Sequence, residues 1–229
     1  MDDIIQGFAH AARLLVSGEQ DVWGIVFRSL IVSGVSTALG CAIGIPLGAA
    51  VGLRRFRGKR AAVAVLNVGM SLPPVVVGLF VYLLLSRSGP LGFVRLLYSV
   101  SAMVIAQTIL AAPLVAALTV SAVESVDRRA RTLALSLGAS ELRATLTLLG
   151  EARFAMGAAV IAGFGAVISE VGAVMIVGGN IAGHTRVMTT AIVLETGKGQ
   201  FDIAIALGII LLLIAFVVNF GLGFLQRGR

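Results

Sequence analysis

The sequence predicts an all-α polytopic membrane protein with five transmembrane helices and a short amphipathic helix before them. Three observations carry this reading. Hydrophobic residues make up 58% of the 229 residues and charged residues only 13%, about half the charged share of an average soluble domain. That much apolar surface requires lipid as part of the solvent. Apolar stretches at 27–53, 61–86, 96–123, 154–179 and 203–226 each meet the roughly 20 residues a spanning helix needs. Within four of them, Ser29–Leu53, Ala61–Ser86, Leu96–Val123 and Ile203–Gln226 carry no charge, and the other is interrupted only by Glu170. These runs do not alternate with period two, which favours helices over a barrel. The third observation is the sorting of positive charge between alternate connections.

On one side lie Arg54, Arg55, Arg57, Lys59, Arg60, Arg128, Arg129, Arg131, Arg143, Arg153, Arg227 and Arg229, twelve in all. On the other lie six, namely Arg13, Arg28, Arg87, Arg95, Arg186 and Lys198. The positive-inside rule assigns the richer side to the cytoplasm, so the N-terminus is expected outside and the C-terminus inside. The net charge of +7 is a property of span borders, and no nucleic-acid partner is expected. Cys41 is alone, within the first span, and permits no intrachain disulfide.

Residues 1–21 form the opening segment. Ile4, Ile5, Phe8, Ala12, Leu15 and Val16 recur at helical spacing, so an amphipathic helix on the outer surface is expected. Asp2 and Asp3 stand where a signal peptide would carry positive charge. The transmembrane domain then occupies 22–229. Its first span carries Gly40, Gly44, Gly48 and Gly52 on one face, a small-xxx-small pattern that lets another backbone approach closely. Pro46 is expected to kink it. The second span contains Ser71-Leu72-Pro73-Pro74. Two prolines remove two helical donors and leave the carbonyls of Gly69 and Met70 without their usual partners. Either a kink or a broken helix bordering a pathway satisfies this.

The connection 125–153 is too long for a plain turn. Ser125 and Asp127 can cap a helix through Leu137, Gly138 can end it in the left-handed conformation, and Ser140 can cap a second helix through Arg153. Leu133, Leu135, Leu137, Leu142, Leu146 and Leu149 are interleaved with arginines. The hairpin is either a charged surface feature or an element that docks into another subunit. The fourth span places Ala158, Ala162, Ala166 and Glu170 on one stripe. If the helix enters near Phe154, Glu170 lies about 24 Å along it, near the far interface. Both a structural role and a gating role remain open for this carboxylate.

No nucleotide-binding loop is present. Gly52 and Gly58-Lys59 are separated by five residues where four are needed, and Arg60 replaces the Ser or Thr that would hold Mg²⁺. The sequence offers no nucleophile–base constellation and no metal-ligand spacing. His10 and His184 read as ordinary loop histidines.

Thr132-Leu133-Ala134 followed by Gly138-Ala139-Ser140 resembles the EAA loop of ATP-binding-cassette (ABC) import permeases, with the family's six-residue spacing to the glycine. Thr132 stands where that family has Glu, Leu133 where it has Ala, and Leu148–Phe154 replaces its Ile-x-Leu-Pro segment. Met70–Leu79, Ser88-Gly89-Pro90-Leu91-Gly92 and Ser169–Met175 with Gly178-Gly179-Asn180-Ile181 are similar to molybdate and tungstate permeases. Glu151–Phe154, Arg186–Ile192 and Leu194–Gly199 look most like the tungstate branch.

The resemblance implies a type I ABC importer permease fold in a bacterial or archaeal cytoplasmic membrane. It implies a homodimer, separate ATPase subunits that bind ATP and Mg²⁺, and an extracytoplasmic oxyanion-binding protein. No cofactor would be held by this chain. Arg131, Thr132, Leu135, Leu137, Gly138, Ala139, Ser140 and Arg143 would face the ATPase. Candidates for the pathway or gate are Pro73, Pro74, Glu170, Asn180, Thr185, Arg186, Thr189 and Thr190. An ionised Glu170 repels an oxyanion, so the hydroxyls, backbone donors and Arg186 are the better ligands. A divalent anion entering against 100 mV costs roughly 4.6 kcal/mol, so a passive channel would run backwards. A secondary transporter would show an inverted repeat, and none is visible.

Overall fold

The computed structural model describes residues 20–54, 56–127 and 129–227. The opening segment as far as residue 19, together with Arg55, Arg128, Gly228 and Arg229, lies outside the described residues. So does the expected amphipathic helix.

Every regular element among the described residues is helical. Helix α1 spans Gln20–Leu53, α2 Lys59–Met70, α3 Pro74–Leu85 and α4 Val100–Glu124, with a 3-10 turn at Gly92–Val94 between the last two. Helix α5 is Arg129–Ser136, α6 Glu141–Ile168, α7 Gly172–Gly178, α8 Met188–Gly197 and α9 Phe201–Arg227. Helices α1, α4, α6 and α9 are each long and apolar enough to cross a membrane, and the bent pair α2–α3 makes a fifth span.

Helix α4 is the centre. It packs against α1, α2, α3, α6 and α7, while α9 closes the outside against α6 and α8. The glycine stripe explains how α1 and α4 meet. A β-carbon on Gly40 would sit 2.7 Å from Ala111 Cβ, and one on Gly44 would sit 2.6 Å from the Ala112 carbonyl oxygen. Without side chains there, the two backbones come into direct contact, which is how apolar helices associate when lipid removes the hydrophobic drive. The main core joins Val77, Val81 and Leu85 of α3 to Met103 and Ala106 of α4 and Val174 of α7. Pro46 does not end α1, and Pro113 does not end α4.

Three sequence expectations change. The second span is no simple kink, since α2 and α3 meet at 91°. Pro73 is the N-cap and Pro74 opens α3, where a missing N–H removes nothing the helix would use. The Gly69 carbonyl is not orphaned, because the chain tightens and Leu72 N–H donates to it at 3.4 Å. The stretch 154–179 is not one helix. Helix α6 starts at Glu141, runs without interruption past Arg153 and Phe154, and stops at Ile168. Its 28 residues span about 42 Å at 1.5 Å per residue, so the second arm of the hairpin and the fourth span are one rod. Glu170 therefore sits in a break between α6 and α7.

Candidate functional site

The break is built from local chemistry. Ser169 caps α6, and its hydroxyl donates to the Gly165 carbonyl at 2.8 Å. The first N–H groups of α7 lack helical partners. Glu170 supplies them: Oε1 accepts from Ala173 N–H at 2.7 Å and Oε2 from Val174 N–H at 3.2 Å. A carboxylate at the positive end of a helix is also favoured by the backbone dipoles. Thr189 Oγ1 donates to the Glu170 carbonyl at 2.9 Å. At the other end of the break, Gln107 Nε2 donates at 2.8 Å to the buried Val167 carbonyl, which also accepts from Glu170 N–H at 3.3 Å. Glu170 is thus a buried cap that holds two helices at a fixed turn.

The broken spans meet each other. A β-carbon on Gly172 would lie 2.6 Å from Val75 Cγ2, and one on Gly78 would lie 2.7 Å from Ala173 Cα. The start of α7 therefore rests directly on the start of α3, beside Pro73 and Pro74. The break and the elbow form one joint. Ser29, Ser33, Gln107, Glu170 and Thr189 line a small void beside the break, with ≈ 10 Å³ open to the centre of a water molecule. Gln107 is 3% exposed and its Oε1 has no partner.

The connection from α7 to α8 brings together the other pathway candidates. Asn180 adopts φ +50 and its Nδ2 donates to the Thr190 carbonyl at 3.3 Å. Arg186 Nε donates to Asn180 Oδ1 at 3.3 Å and Nη2 to the Asn180 carbonyl at 3.4 Å. Thr185, Thr189 and Thr190 are buried. Their hydroxyls donate to the carbonyls of Gly178, Glu170 and Val187 respectively. A hydroxyl has one proton to give, so in this conformation none of the three has a donor left for an anion. These three hydroxyls hold the loop, while Arg186 uses only two of its five N–H donors on Asn180. Arg28, in α1, completes the clamp by donating to the carbonyls of Arg186 at 3.2 Å and Gly183 at 2.8 Å. Ser29 Oγ accepts from Met188 N–H at 2.8 Å.

Sequence reasoning missed Gln107, Arg28, Ser29 and Ser33. The signals existed: an amide in the middle of an apolar span, and Ser29, Ser33 and Thr37 four residues apart, ending three residues before the glycine stripe.

At the opposite end of the bundle, Lys59 ties α2 to α4 through Glu124 at 2.8 Å and to the Gly52 carbonyl at 2.8 Å. Beyond it α5 and α6 form the hairpin. Asp127 Oδ1 accepts from Arg129 N–H at 2.9 Å, and Ser140 Oγ accepts from Arg143 N–H at 3.4 Å. Gly138 takes φ +84. Ala139 N–H donates to the Ala134 carbonyl and Gly138 N–H to the Leu135 carbonyl, each at 3.0 Å, the paired bonds of a Schellman end. Leu137 is 80% exposed, and Leu133, Leu142 and Leu146 are exposed with it. Thr132, Ser140 and Arg143 are also at the surface, Leu135 and Ala139 half-buried. The side chain of Arg131 lies outside the described residues.

This bundle, with a hairpin tip projecting from one end, has the fold of type I ABC importer permeases. Residues 44–229 match the family of inner membrane components of binding-protein-dependent transport systems, and the chain belongs to it. Over 96% of its length it is 45% identical to the tungstate uptake system permease protein of Peptoclostridium acidaminophilum, covering 96% of that protein. It is 41% identical to the protein of the same description from Campylobacter jejuni, over 96% of this chain and 92% of that one. A probable molybdenum ABC transporter permease protein of Haloferax volcanii is 32% identical over 84% of this chain and 74% of that protein. Among solved structures, an inward-facing methionine ABC transporter aligns with a TM-score of 0.72 at 16% identity, over 91% of this chain and 94% of that one. A bacterial alginate importer aligns at 0.73 with 19% identity, over 96% and 83%. At these identities the structures show the fold alone.

Proposed function

We propose that this chain is the permease subunit of an importer for tungstate, working as a homodimer with separate ATPase subunits and an extracytoplasmic binding protein. The observation that carries the substrate is the 45% identity, across nearly all of both chains, to a tungstate uptake permease. The N-terminus lies outside and the C-terminus in the cytoplasm, a reading that rests on the twelve-to-six sorting of positive charge. ATP and Mg²⁺ are bound by the ATPase partner. Energy enters through the hairpin tip around Gly138, whose exposed leucines are suited to an apolar groove flanked by acidic residues that meet the arginines.

The elbow supports the homodimer. Ser71, Leu72 and Pro73 are non-helical or capping residues at the junction of α2 and α3, and they are exposed on this chain. Irregular backbone at membrane depth is tolerated only against protein or a water-filled cavity. A second copy facing the elbow meets that condition and leaves the anion path between the copies, next to the joint held by Glu170. Opening would then consist of moving α7 against α3, with the clamp of Arg28 and Arg186 on the outer loop released or re-formed.

Deletion of the gene, with tungsten and molybdenum in the cells measured by mass spectrometry at nanomolar supply, tests the substrate. Loss of tungsten accumulation with molybdenum unchanged is expected. Loss of molybdenum alone would move the assignment to molybdate, the second reading, and loss of neither would sink the oxyanion assignment.

A further inference from the structure

We propose that the cavity beneath the connection from α3 to α4 binds the headgroup of an anionic phospholipid at the membrane–water boundary. This inference is independent of which anion is transported. The cavity measures ≈ 1150 Å³, beyond the ~300–1,000 Å³ of a typical small-molecule site and far more than a four-oxygen anion needs. Its polar wall is Ser86, Arg87, Ser88 and Arg95, and Leu85, Phe93 and Leu97 supply an apolar one. The occupant must therefore be an amphiphile.

Charge defines its head. Residues 86–99 contain Arg87 and Arg95 and no Asp or Glu. Among the described residues neither guanidinium makes a hydrogen bond or ion pair. Two unpaired guanidiniums beside the Ser88 hydroxyl form a donor set suited to a phosphate monoanion, the Ser86 hydroxyl being given to the Leu83 carbonyl at 3.1 Å.

The backbone gives the second, independent observation. Arg95 and Tyr98 are held at φ +55 and +61, a conformation that penalises any residue with a β-carbon. Tyr98 has an evident reason. Its N–H donates to the Val177 carbonyl at 2.9 Å, its ring meets Tyr82 edge-on at 6.4 Å, and it fills the space where a β-carbon on Gly179 would come within 2.8 Å. Arg95 closes the 3-10 turn, its N–H donating to the Gly92 carbonyl at 3.2 Å, but its side chain makes no such contact within the chain. Glycine would adopt its conformation freely, yet a guanidinium stands there, exposed, over the cavity. A backbone cap that glycine would serve at less cost, filled instead by a guanidinium with no internal partner, points to a side chain used by something outside the fold. The loop packs its backbone closely on the end of α3, since β-carbons at Gly89 and Gly92 would collide with the carbonyls of Leu83 and Ser86.

Position gives the tail. Phe93 is 79% exposed, and Leu91 and Val94 beside it are exposed too. Together with Tyr82 and Tyr98, this places aromatic rings and arginines at the level where membrane proteins meet headgroups. Phe93 lies among acyl chains, Arg87 and Arg95 hold the phosphate, and the Ser88 hydroxyl bonds one of its oxygens or the glycerol.

The permease, assembled with its ATPase and binding protein, is reconstituted in nanodiscs of mixed phosphatidylglycerol and phosphatidylcholine, then released for native mass spectrometry. Wild type is expected to retain phosphatidylglycerol in preference to phosphatidylcholine. Arg87→Gln and Arg95→Gly should each weaken retention about fivefold. Arg95→Gly relaxes the backbone, so its loss of lipid is not a loss of folding, and Arg95→Lys should keep most of the lipid. Equal retention by wild type and the double variant overturns the proposal. Displacement of the lipid by millimolar tungstate would reassign the site to the free oxyanion. Disulfide crosslinking between copies through Phe93→Cys in a Cys41→Ala background would show that a second copy covers the cavity.

Discussion

Replacing Gly138 tests whether the hairpin tip transmits energy. The residue has φ +84, and a β-carbon built on it would find nothing within 4 Å. Substitution therefore meets no steric clash and touches no core contact. The whole cost is conformational, about 1–2 kcal/mol for a β-carbon in the left-handed region, and higher for a β-branched residue. Because the Schellman bonds from Gly138 and Ala139 depend on that conformation, the cost falls on the population of the correctly shaped tip. A bias of 1–2 kcal/mol lowers that population by up to about 5- to 30-fold, and apparent affinity for the ATPase falls by the same factor. Gly138→Ala and Gly138→Val should therefore form a graded series. Both should insert and melt like wild type in nanodiscs. Titration of the ATPase onto the immobilised permease should show weaker binding for Ala and weaker still for Val, with transport-linked ATP hydrolysis falling in the same order. Wild-type transport by Gly138→Val would refute the coupling role, and a large drop in melting temperature would refute the claim that the tip is structurally free.

Gly44→Ala should do the opposite. Its β-carbon would lie 2.6 Å from the Ala112 carbonyl oxygen and 3.0 Å from Ala116 N, so α1 and α4 must separate at a cost of about 1–3 kcal/mol, read as a lower melting temperature; an unchanged melt would mean the helices pack less closely than described. Glu170→Gln leaves one acceptor for two backbone donors and turns an N–H towards the other, costing about 1–3 kcal/mol. Stability should fall while the tungstate-to-molybdate uptake ratio stays the same, and a changed ratio would make Glu170 part of anion recognition. In a Cys41→Ala background, Ala182→Cys should react with a membrane-impermeant maleimide on sealed cells and Arg57→Cys should not. The reverse pattern would invert the orientation.

The spans, the glycine contact between α1 and α4, and the left-handed Gly138 were legible in the sequence because each depends on neighbours along the chain. Burial of an apolar run in lipid sums residue by residue. A stripe of glycines at four-residue spacing has one helix face to occupy, and a glycine between a leucine run and a serine cap ends a helix by its own freedom. The Pro73-Pro74 pair marked where the second span fails, but a kink and a 91° elbow remove the same donors, so only packing of α3 on α7 distinguishes them. Tertiary structure decided where the fourth span ends. Nothing in its composition stops a helix at Ile168, for Ser169 and Glu170 can both be helical. The local cap made by Glu170 is joined there by partners far away in sequence: Gln107, which adds a second hydrogen bond to the Val167 carbonyl 60 residues away, and Thr189, 19 residues from the Glu170 carbonyl. The same reason governs the threonines. A hydroxyl in the sequence is a potential donor, but whether its single proton faces an anion or a backbone carbonyl depends on which carbonyls the fold brings within reach, and those of Gly178, Glu170 and Val187 take all three.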